Sequence, residues 1–218
     1  MAKIDPSTQT EAMPEQEPSA CSSCDSQRLS PLACGSCGLL DDTGTLPSPF
    51  QLFGLAPSWT YCPNTLRKRL LRITRLTHPD LHPADRDPEA ARLAELHTAR
   101  LNRAYTVLTD DVQRTEWLIT FLEGPPASNG VPQALLMEVM DWNEVLDEVQ
   151  QGDADASALE ELTGELQKRR QGVMQDLRGL LDPLPETGSP SLKTAREHLD
   201  TLRYLARILE RTKALKTA

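Results

Sequence analysis

The tripeptide His78-Pro79-Asp80 constrains the fold most, because it separates two stretches with helical periodicity. In the preceding stretch, apolar and small side chains fall on one face of a helix: Leu66, Leu70, Ile73 and Thr77. Pro79 ends this helix, since proline lacks a backbone N–H and restricts the residue before it. A second helix is predicted from about residue 89 to about residue 109. The two helices therefore form an antiparallel hairpin around a short loop.

Charge is distributed unevenly along the chain, whose net charge is −9. Residues 63–77 contain five basic side chains and no acid, and residues 115–167 contain twelve acids and no Lys or Arg. The basic side chains opposite the apolar face of the first helix are Lys68, Arg72 and Arg75. This segregation predicts two surfaces that meet different partners, although solvated helix faces would show the same pattern.

Four of the five cysteines form two CxxC pairs: Cys21, Cys24, Cys34 and Cys37. Two residues between thiolates let both point at one ion, and four thiolates form the closed tetrahedral site of structural zinc. Iron, an iron–sulfur cluster or two disulfides are the alternatives. Without metal, residues 21–46 are expected to lack the core to fold. Cys62 stands apart as a bystander thiol.

The chain is predicted to be all-α outside the cysteine region. A polar tail (1–20) is expected to be disordered and to precede a tetracysteine knuckle (21–46). A helical domain (48–123) and a Gly/Pro-rich linker (124–130) come next, and a three-helix bundle (131–218) completes the chain.

Local signals refine these elements. A short apolar stretch at residues 48–55 is interpreted as a helical turn that docks on the core. Asn64 or Thr65 is expected to cap the basic helix. A short third helix is expected from Arg114 to Ile119, and the bundle helices are predicted near 132–150, 157–181 and 191–213.

No apolar run approaches the length of a membrane span, and residues 1–20 resemble neither a secretory signal nor an Arg-rich transit peptide. We therefore expect a soluble protein without membrane partners. A bacterial cytosol is favoured, with mitochondria as the alternative because of the cysteine site.

The helix, the HPD loop and a second helix ending in Ala104-Tyr105-Thr106-Val107-Leu108 together resemble a J-domain, the module that triggers ATP hydrolysis in DnaK-type chaperones. Residues 134–148 resemble the Leu-Met-Glu-containing helix of HscB-type co-chaperones of iron–sulfur cluster assembly, as do residues 202–205. The tetracysteine site is similar to that of the zinc-bearing members of the same family. The resemblance spans roughly Ser48 to the C-terminus.

The resemblance implies an adaptor without catalytic residues. His78, Pro79 and Asp80, with the basic face, would recruit a chaperone of the HscA type and stimulate its ATPase. The C-terminal helices would bind a cluster scaffold of the IscU type through an apolar patch of Leu136, Met137, Met140 and Tyr204. Leu136 and Met140 could instead belong to the bundle core, and Met137 is the better candidate for exposure.

Three other functions fit the sequence less well. A catalytic dyad of His78 and Asp80 lacks a nucleophile and oxyanion donors nearby. A general J-domain co-chaperone for other clients normally has a Gly/Phe-rich segment and a β-rich client-binding region, which this sequence lacks. A zinc-ribbon adaptor for nucleic acid is opposed by the acidic chain. The sequence departs from the family at Leu81-His82, where a Lys and then an aromatic residue often follow HPD.

Overall fold

The computed structural model describes residues 19–44, 46–125 and 135–217. Its α-helices are α1 (Pro49–Leu52), α2 (Pro63–Thr77), α3 (Pro88–Thr109), α4 (Asp111–Glu123), α5 (Leu136–Gln151), α6 (Ala156–Leu181) and α7 (Pro190–Thr217). Within the described residues, the only β-type pairing consists of three isolated bridges near the cysteines, which confirms the all-α prediction. The chain divides into two compact units, residues 1–114 and 115–218.

The N-terminal unit is built on the predicted hairpin. α2 and α3 pack against each other, and Leu66, Ile73 and Thr77 of α2 are buried. α2 begins at Pro63, so the predicted cap at Asn64 or Thr65 is wrong, and the actual cap residue, Cys62, makes no side-chain capping hydrogen bond. A proline at the first helical position explains the shift, because its missing N–H would be unpaired there in any case.

The short α1 helix docks on α3 as expected. Ser48 and Gln51 form a capping box, in which Ser48 Oγ accepts from the Gln51 N–H at 3.1 Å and Gln51 Oε1 accepts from the Ser48 N–H at 2.8 Å. Phe50 and Phe53 are fully buried. α1 therefore fills the part of the hairpin core that two helices alone leave open.

The segment 19–44, which we call the tetracysteine knuckle, packs directly on the hairpin. Ala33 and Leu40 of the knuckle share a core cluster with Leu93 and Ala94 of α3, to which Leu76 of α2 adds its side chain. At a second contact, a Cβ added to Gly54 would lie 2.3 Å from the backbone oxygen of Leu29. The knuckle therefore shares the core of the hairpin, and its inability to fold without metal stays a prediction.

The C-terminal unit contains most of α4 together with α5, α6 and α7. Arg203 and Arg196 of α7 form ion pairs with Glu116 and Glu123 of α4, at 2.6 and 2.9 Å. The sequence had assigned residues up to 123 to the hairpin domain, whereas the division into compact units falls between Arg114 and Thr115. α4 therefore begins in one unit and continues in the other.

The three long helices run up, down and up. Glu138 of α5 contacts Arg169 of α6 at 3.2 Å, and Trp142 of α5 donates to Glu165 of α6 at 3.3 Å, so α5 and α6 are antiparallel. Only eight residues join α6 to α7, which makes that pair antiparallel as well. It follows that α5 and α7 run in the same direction.

Two predicted segments lie largely outside the described residues, the tail (1–20) and the linker (124–130). Within the described part of the chain, no helix is both long enough and apolar enough to cross a bilayer.

His97 of α3 links the hairpin to the knuckle, a contact that helical periodicity does not indicate. Its side chain is fully buried, Nε2 donates to the Asp41 carbonyl at 3.0 Å, and Nδ1 has no partner among the described residues. Burial lowers the pKa of His97 from its usual 6.5, opposed by the Asp41 backbone contact. Arg100, which lowers the pKa, and the carboxylates of Asp41 and Asp42, which raise it, are the charged groups that face the ring.

A buried neutral His97 makes the fold sensitive to acid. Below pH 6.5 the unfolded chain binds a proton that the folded state resists, so stability is lost as the pH falls. Between about pH 7.5 and about pH 5.5, we expect the wild-type unfolding free energy to fall more than that of His97→Gln, which keeps the donor to Asp41. Denaturant unfolding at both pH values checks this, and equal losses would contradict it.

Candidate functional site

The HPD tripeptide forms an exposed turn at the end of the hairpin. Pro79–Leu81 is a 3-10 turn, which we call, together with His78, the HPD turn. His78 Nδ1 accepts from the Asp80 N–H at 3.2 Å, and Leu81 donates its N–H to the His78 carbonyl at 3.0 Å. The His78 and Asp80 side chains are 49% and 88% exposed. The turn is therefore held by its own backbone, while both functional groups face solvent.

His82 anchors the turn from the other side. Its Nε2 lies 2.9 Å from the Leu76 carbonyl, one of the last carbonyls of α2 that lack a helical partner. The His82 backbone N–H also bonds to the Pro79 carbonyl at 2.9 Å. The residue that departs from the family pattern thus fixes the HPD turn to the end of α2.

The basic face of α2 is exposed. Lys68, Arg72 and Arg75 are all classed as exposed, on the side opposite the buried stripe. Arg69 differs, because its guanidinium donates to the Phe53 and Gly54 carbonyls at 2.8 and 2.9 Å. The five basic side chains of α2 therefore separate into four exposed cations, which include Arg67, and one structural arginine, Arg69.

The four predicted cysteine ligands converge on one point. All four Sγ atoms lie within 4.8 Å of one another, with Cys21 and Cys34 buried and Cys24 and Cys37 exposed. The Cys21–Cys37 and Cys24–Cys34 sulfur pairs are each 3.7 Å apart. Four thiolates about 2.3 Å from one zinc ion stand about 3.8 Å apart at the corners of a tetrahedron. The cluster fits a tetrahedral metal ion of this size.

The two CxxC turns are built alike. Each first cysteine accepts a backbone N–H at 3.4 Å, from Ser23 to Cys21 and from Ser36 to Cys34. Each second cysteine is followed by a residue with positive φ, Asp25 at 54° and Gly38 at 76°. Glycine takes this conformation in the second turn without strain, and aspartate takes it in the first, as short polar residues occasionally do.

Hydrogen bonds favour the thiolate form at Cys34, whereas at Cys37 a backbone contact with Leu39 is outweighed by burial and the neighbouring thiols, which raise the pKa of Cys37 to about 11. Backbone contacts, first with Cys37 and then with Ser36, lower the pKa of Cys34 to about 6. Because the thiolate is the form that binds a metal ion, a lowered pKa favours ligation near neutral pH. These residues would hold a structural ion, which would fix the two turns to each other.

The apolar patch predicted on α5 is exposed. Leu136, Met137 and Met140 are 44%, 76% and 71% exposed. The alternative that Leu136 and Met140 form bundle core is therefore excluded. Their place in the core is taken by Trp142 and Leu146, which are 3% and 0% exposed.

Contacts between α5 and α7 fix the register of the two helices. Arg211 of α7 donates to Asn143 Oδ1 and, at 3.2 Å, to Asp147 Oδ1 of α5. Both acceptors lie four residues apart on one face of α5. The Arg211 contacts therefore show which residues of the parallel helices α5 and α7 lie at the same height along the bundle axis.

Two helical turns earlier, the same register applies to the patch. Tyr204 lies seven residues before Arg211 on α7. On α5, Leu136 and Met140 lie seven residues before Asn143 and Asp147, the two acceptors of Arg211. Tyr204 is partly exposed, and the Arg207 guanidinium lies 5.3 Å from the centroid of its ring. The four predicted patch residues therefore occupy one level of the C-terminal unit.

Comparison with known proteins identifies the family. The co-chaperone protein HscB homolog of Shewanella halifaxensis is 30% identical over 162 residues, which make up 73% of this chain and 91% of the relative. This chain belongs to the HscB co-chaperone family. The HscB homolog of Bordetella petrii is 32% identical over 136 residues, 61% of this chain and 78% of the relative.

A family model and solved structures agree with this assignment. The HSCB C-terminal oligomerisation domain matches residues 131–213. The crystal structure of human co-chaperone protein HscB superposes with a TM-score of 0.72 at 22% identity, covering 91% of this chain and 98% of that one. HscB from Vibrio cholerae gives 0.66 at 20% identity, covering 78% and 98%. These two likenesses show that the chain has the HscB fold.

One structural residue near the HscB hairpin was missed by the sequence analysis. Arg114 is 2% exposed, donates to the Trp59 and Leu108 carbonyls at 3.0 and 2.8 Å, and forms an ion pair with Asp111 at 2.9 Å. Its guanidinium also lies 4.5 Å from the centroid of the Tyr61 ring. The apolar pattern of α4 could not indicate a buried arginine, since all of its acceptors but Asp111 come from other elements.

Proposed function

We propose that this protein is a J-type co-chaperone of iron–sulfur cluster assembly. It binds a cluster scaffold of the IscU type, presents it to a DnaK-type chaperone of the HscA type, and stimulates the ATPase of that chaperone. The observation that carries the proposal is the HPD turn, exposed between two paired helices in a chain of the HscB family. The protein itself needs no active site for this role.

The HPD turn suits docking because it is ordered before a partner arrives. Its backbone hydrogen bonds and the anchoring of His82 leave little conformational entropy to lose on binding. His78 offers a ring donor and acceptor, and Asp80 offers a carboxylate for a partner arginine. The exposed cations Lys68, Arg72 and Arg75 steer the module towards an acidic surface.

The apolar patch of α5 and α7 suits a reversible contact with the scaffold. Met137 and Met140 are flexible and polarisable, and such side chains adapt to a partner surface. Exposed acids, Asp141 and Glu144, follow them on α5 and form a polar rim. An exposed apolar cluster in an otherwise charged bundle is the feature expected of a protein-binding surface.

The scaffold-binding part of the proposal predicts a specific loss of affinity. Replacing Met137 and Tyr204 together by alanine should weaken binding to an IscU-type scaffold by about 2–4 kcal/mol, the cost of removing two hot-spot side chains. Isothermal titration calorimetry with the purified scaffold measures this loss. Phe121→Ala is the matched control, because Phe121 is 58% exposed in the same unit but lies on α4. An unchanged dissociation constant for the double variant would show that the patch binds something else.

The four-cysteine cluster has a structural part in this proposal. A zinc ion fits its geometry, and a closed set of four thiolates leaves no position for substrate. The ion would hold the knuckle in place against the hairpin that carries the HPD turn. A cytosolic bacterial location is part of the same proposal.

A further inference from the structure

An open cleft of about 440 Å³ lies within the N-terminal unit, beside the HPD turn. Residues 37–39 of the tetracysteine knuckle form one wall, and residues 81–83, which include the end of the HPD turn, form the other. Arg86 and Asp87, just before α3, and Glu89, Ala90 and Leu93 of α3 contribute the floor. The knuckle and the HPD turn therefore present one continuous surface.

The wall on the side of the turn carries an exposed leucine. Leu81 ends the 3-10 turn that contains Asp80, and its side chain is 63% exposed. The adjoining His82 holds this wall to the Leu76 carbonyl. A partner that contacts Asp80 comes within one residue of an apolar side chain in a fixed position.

The wall on the side of the knuckle carries a second leucine, Leu39. The Leu39 carbonyl accepts the Cys34 N–H at 2.9 Å, so the backbone of Leu39 shapes the second CxxC turn. Its side chain is partly exposed and lines the cleft. Leu39 and Leu81 thus give both walls an apolar side chain.

Two charges of the floor are already compensated locally. Asp87 Oδ1 caps α3 by accepting from the Glu89 and Ala90 N–H groups at 3.1 and 3.0 Å. Glu89 forms an ion pair with Arg92 at 2.6 Å. Arg86, the third charged residue of the cleft, is exposed. Because the two carboxylates have local partners, the cleft offers one cation beside its apolar side chains, a combination that suits a protein segment.

We infer that this cleft is a second docking site for the DnaK-type chaperone and receives an apolar side chain of the same molecule that engages the HPD turn. The inference rests on the proposed function, because continuity with the HPD turn is what selects the occupant. It gives the tetracysteine knuckle a binding role beside its structural one. The HPD turn triggers hydrolysis, and the cleft adds affinity.

The test is a titration of the chaperone ATPase with the full-length protein and its Leu39→Glu variant. A buried contact of this kind is worth about 1.4 kcal/mol or more, so the half-maximal concentration should rise about tenfold while the maximal rate is retained. Leu39→Met should restore the wild-type value. Leu46→Glu is the control, because Leu46 is 71% exposed in the same unit but does not line the cleft.

Metal content and circular dichroism establish that Leu39→Glu keeps the folded knuckle, and Ala90→Glu, which lines the cleft from α3 and lies outside the HPD turn, provides a second variant if it does not. A half-maximal concentration within about twofold of wild type, which is below ~0.5 kcal/mol, would overturn the inference and leave the proposed function intact. An effect of Leu39→Glu on self-association or scaffold binding alone would also overturn it. Failure of the wild-type protein to stimulate any DnaK-type chaperone would overturn both.

Discussion

Replacing His78 with glutamine abolishes stimulation of the chaperone ATPase while the protein stays folded. The His78 side chain is half-exposed, and its ring contacts Asp80 of the same turn. A surface substitution of this kind changes the unfolding free energy by no more than about 0.5 kcal/mol. The stimulated rate should nevertheless fall at least about tenfold, a change of ~1.4 kcal/mol in the activation barrier.

The measurement is steady-state ATP hydrolysis by the purified DnaK-type chaperone, with increasing amounts of wild-type or His78→Gln protein. His198→Gln serves as the control, since it makes the same change on α7 of the C-terminal unit. Scaffold binding should be equal in all three proteins. If the His78→Gln protein stimulated the ATPase as strongly as the wild type, the interpretation as a J-domain would be wrong.

Loss of the metal site should destabilise the hairpin as well as the knuckle. Leu32 and Leu40 of the knuckle are 0% and 8% exposed, and burial of each leucine contributes about 1.5–3 kcal/mol. Replacing Cys34 and Cys37 by serine should therefore lower the melting temperature of the N-terminal unit by about 10 °C or more, at ~4–8 °C per kcal/mol. The sequence alone predicted that only the N-terminus would become disordered.

Hydrogen exchange followed by mass spectrometry separates these two outcomes. If the hairpin depends on the knuckle, amides of α2 and α3 in the double serine variant will exchange faster than in the wild type. Cys62→Ser is the matched control, since Cys62 precedes α2 and lies outside the four-cysteine cluster. Normal protection of α2 and α3 together with an unprotected knuckle would favour the expectation from sequence.

The parts of the fold predicted from sequence are those that local chemistry determines. Pro79 marks a helix end, since α2 stops at Thr77 as predicted. The CxxC spacing predicts the cluster, because two residues between cysteines allow both thiols to face one centre. These features depend on neighbours within a few residues.

The errors concern contacts between distant segments. The pattern of α5 could not decide between two apolar stripes, and the packing against α6 selects Trp142 and Leu146 for the core while Leu136 and Met140 remain exposed. The packing of the knuckle on the hairpin likewise depends on α3. Helical periodicity identifies a face but not its partner.

The proposed function requires that binding of the scaffold to this protein increases ATP hydrolysis by the chaperone. The most direct test measures the steady-state ATPase of the DnaK-type chaperone with this protein alone, with an IscU-type scaffold alone, and with both together. The account predicts that the two together stimulate hydrolysis well beyond the sum of their separate effects. Stimulation that is the same with and without the scaffold would contradict it and would assign the C-terminal unit to another client.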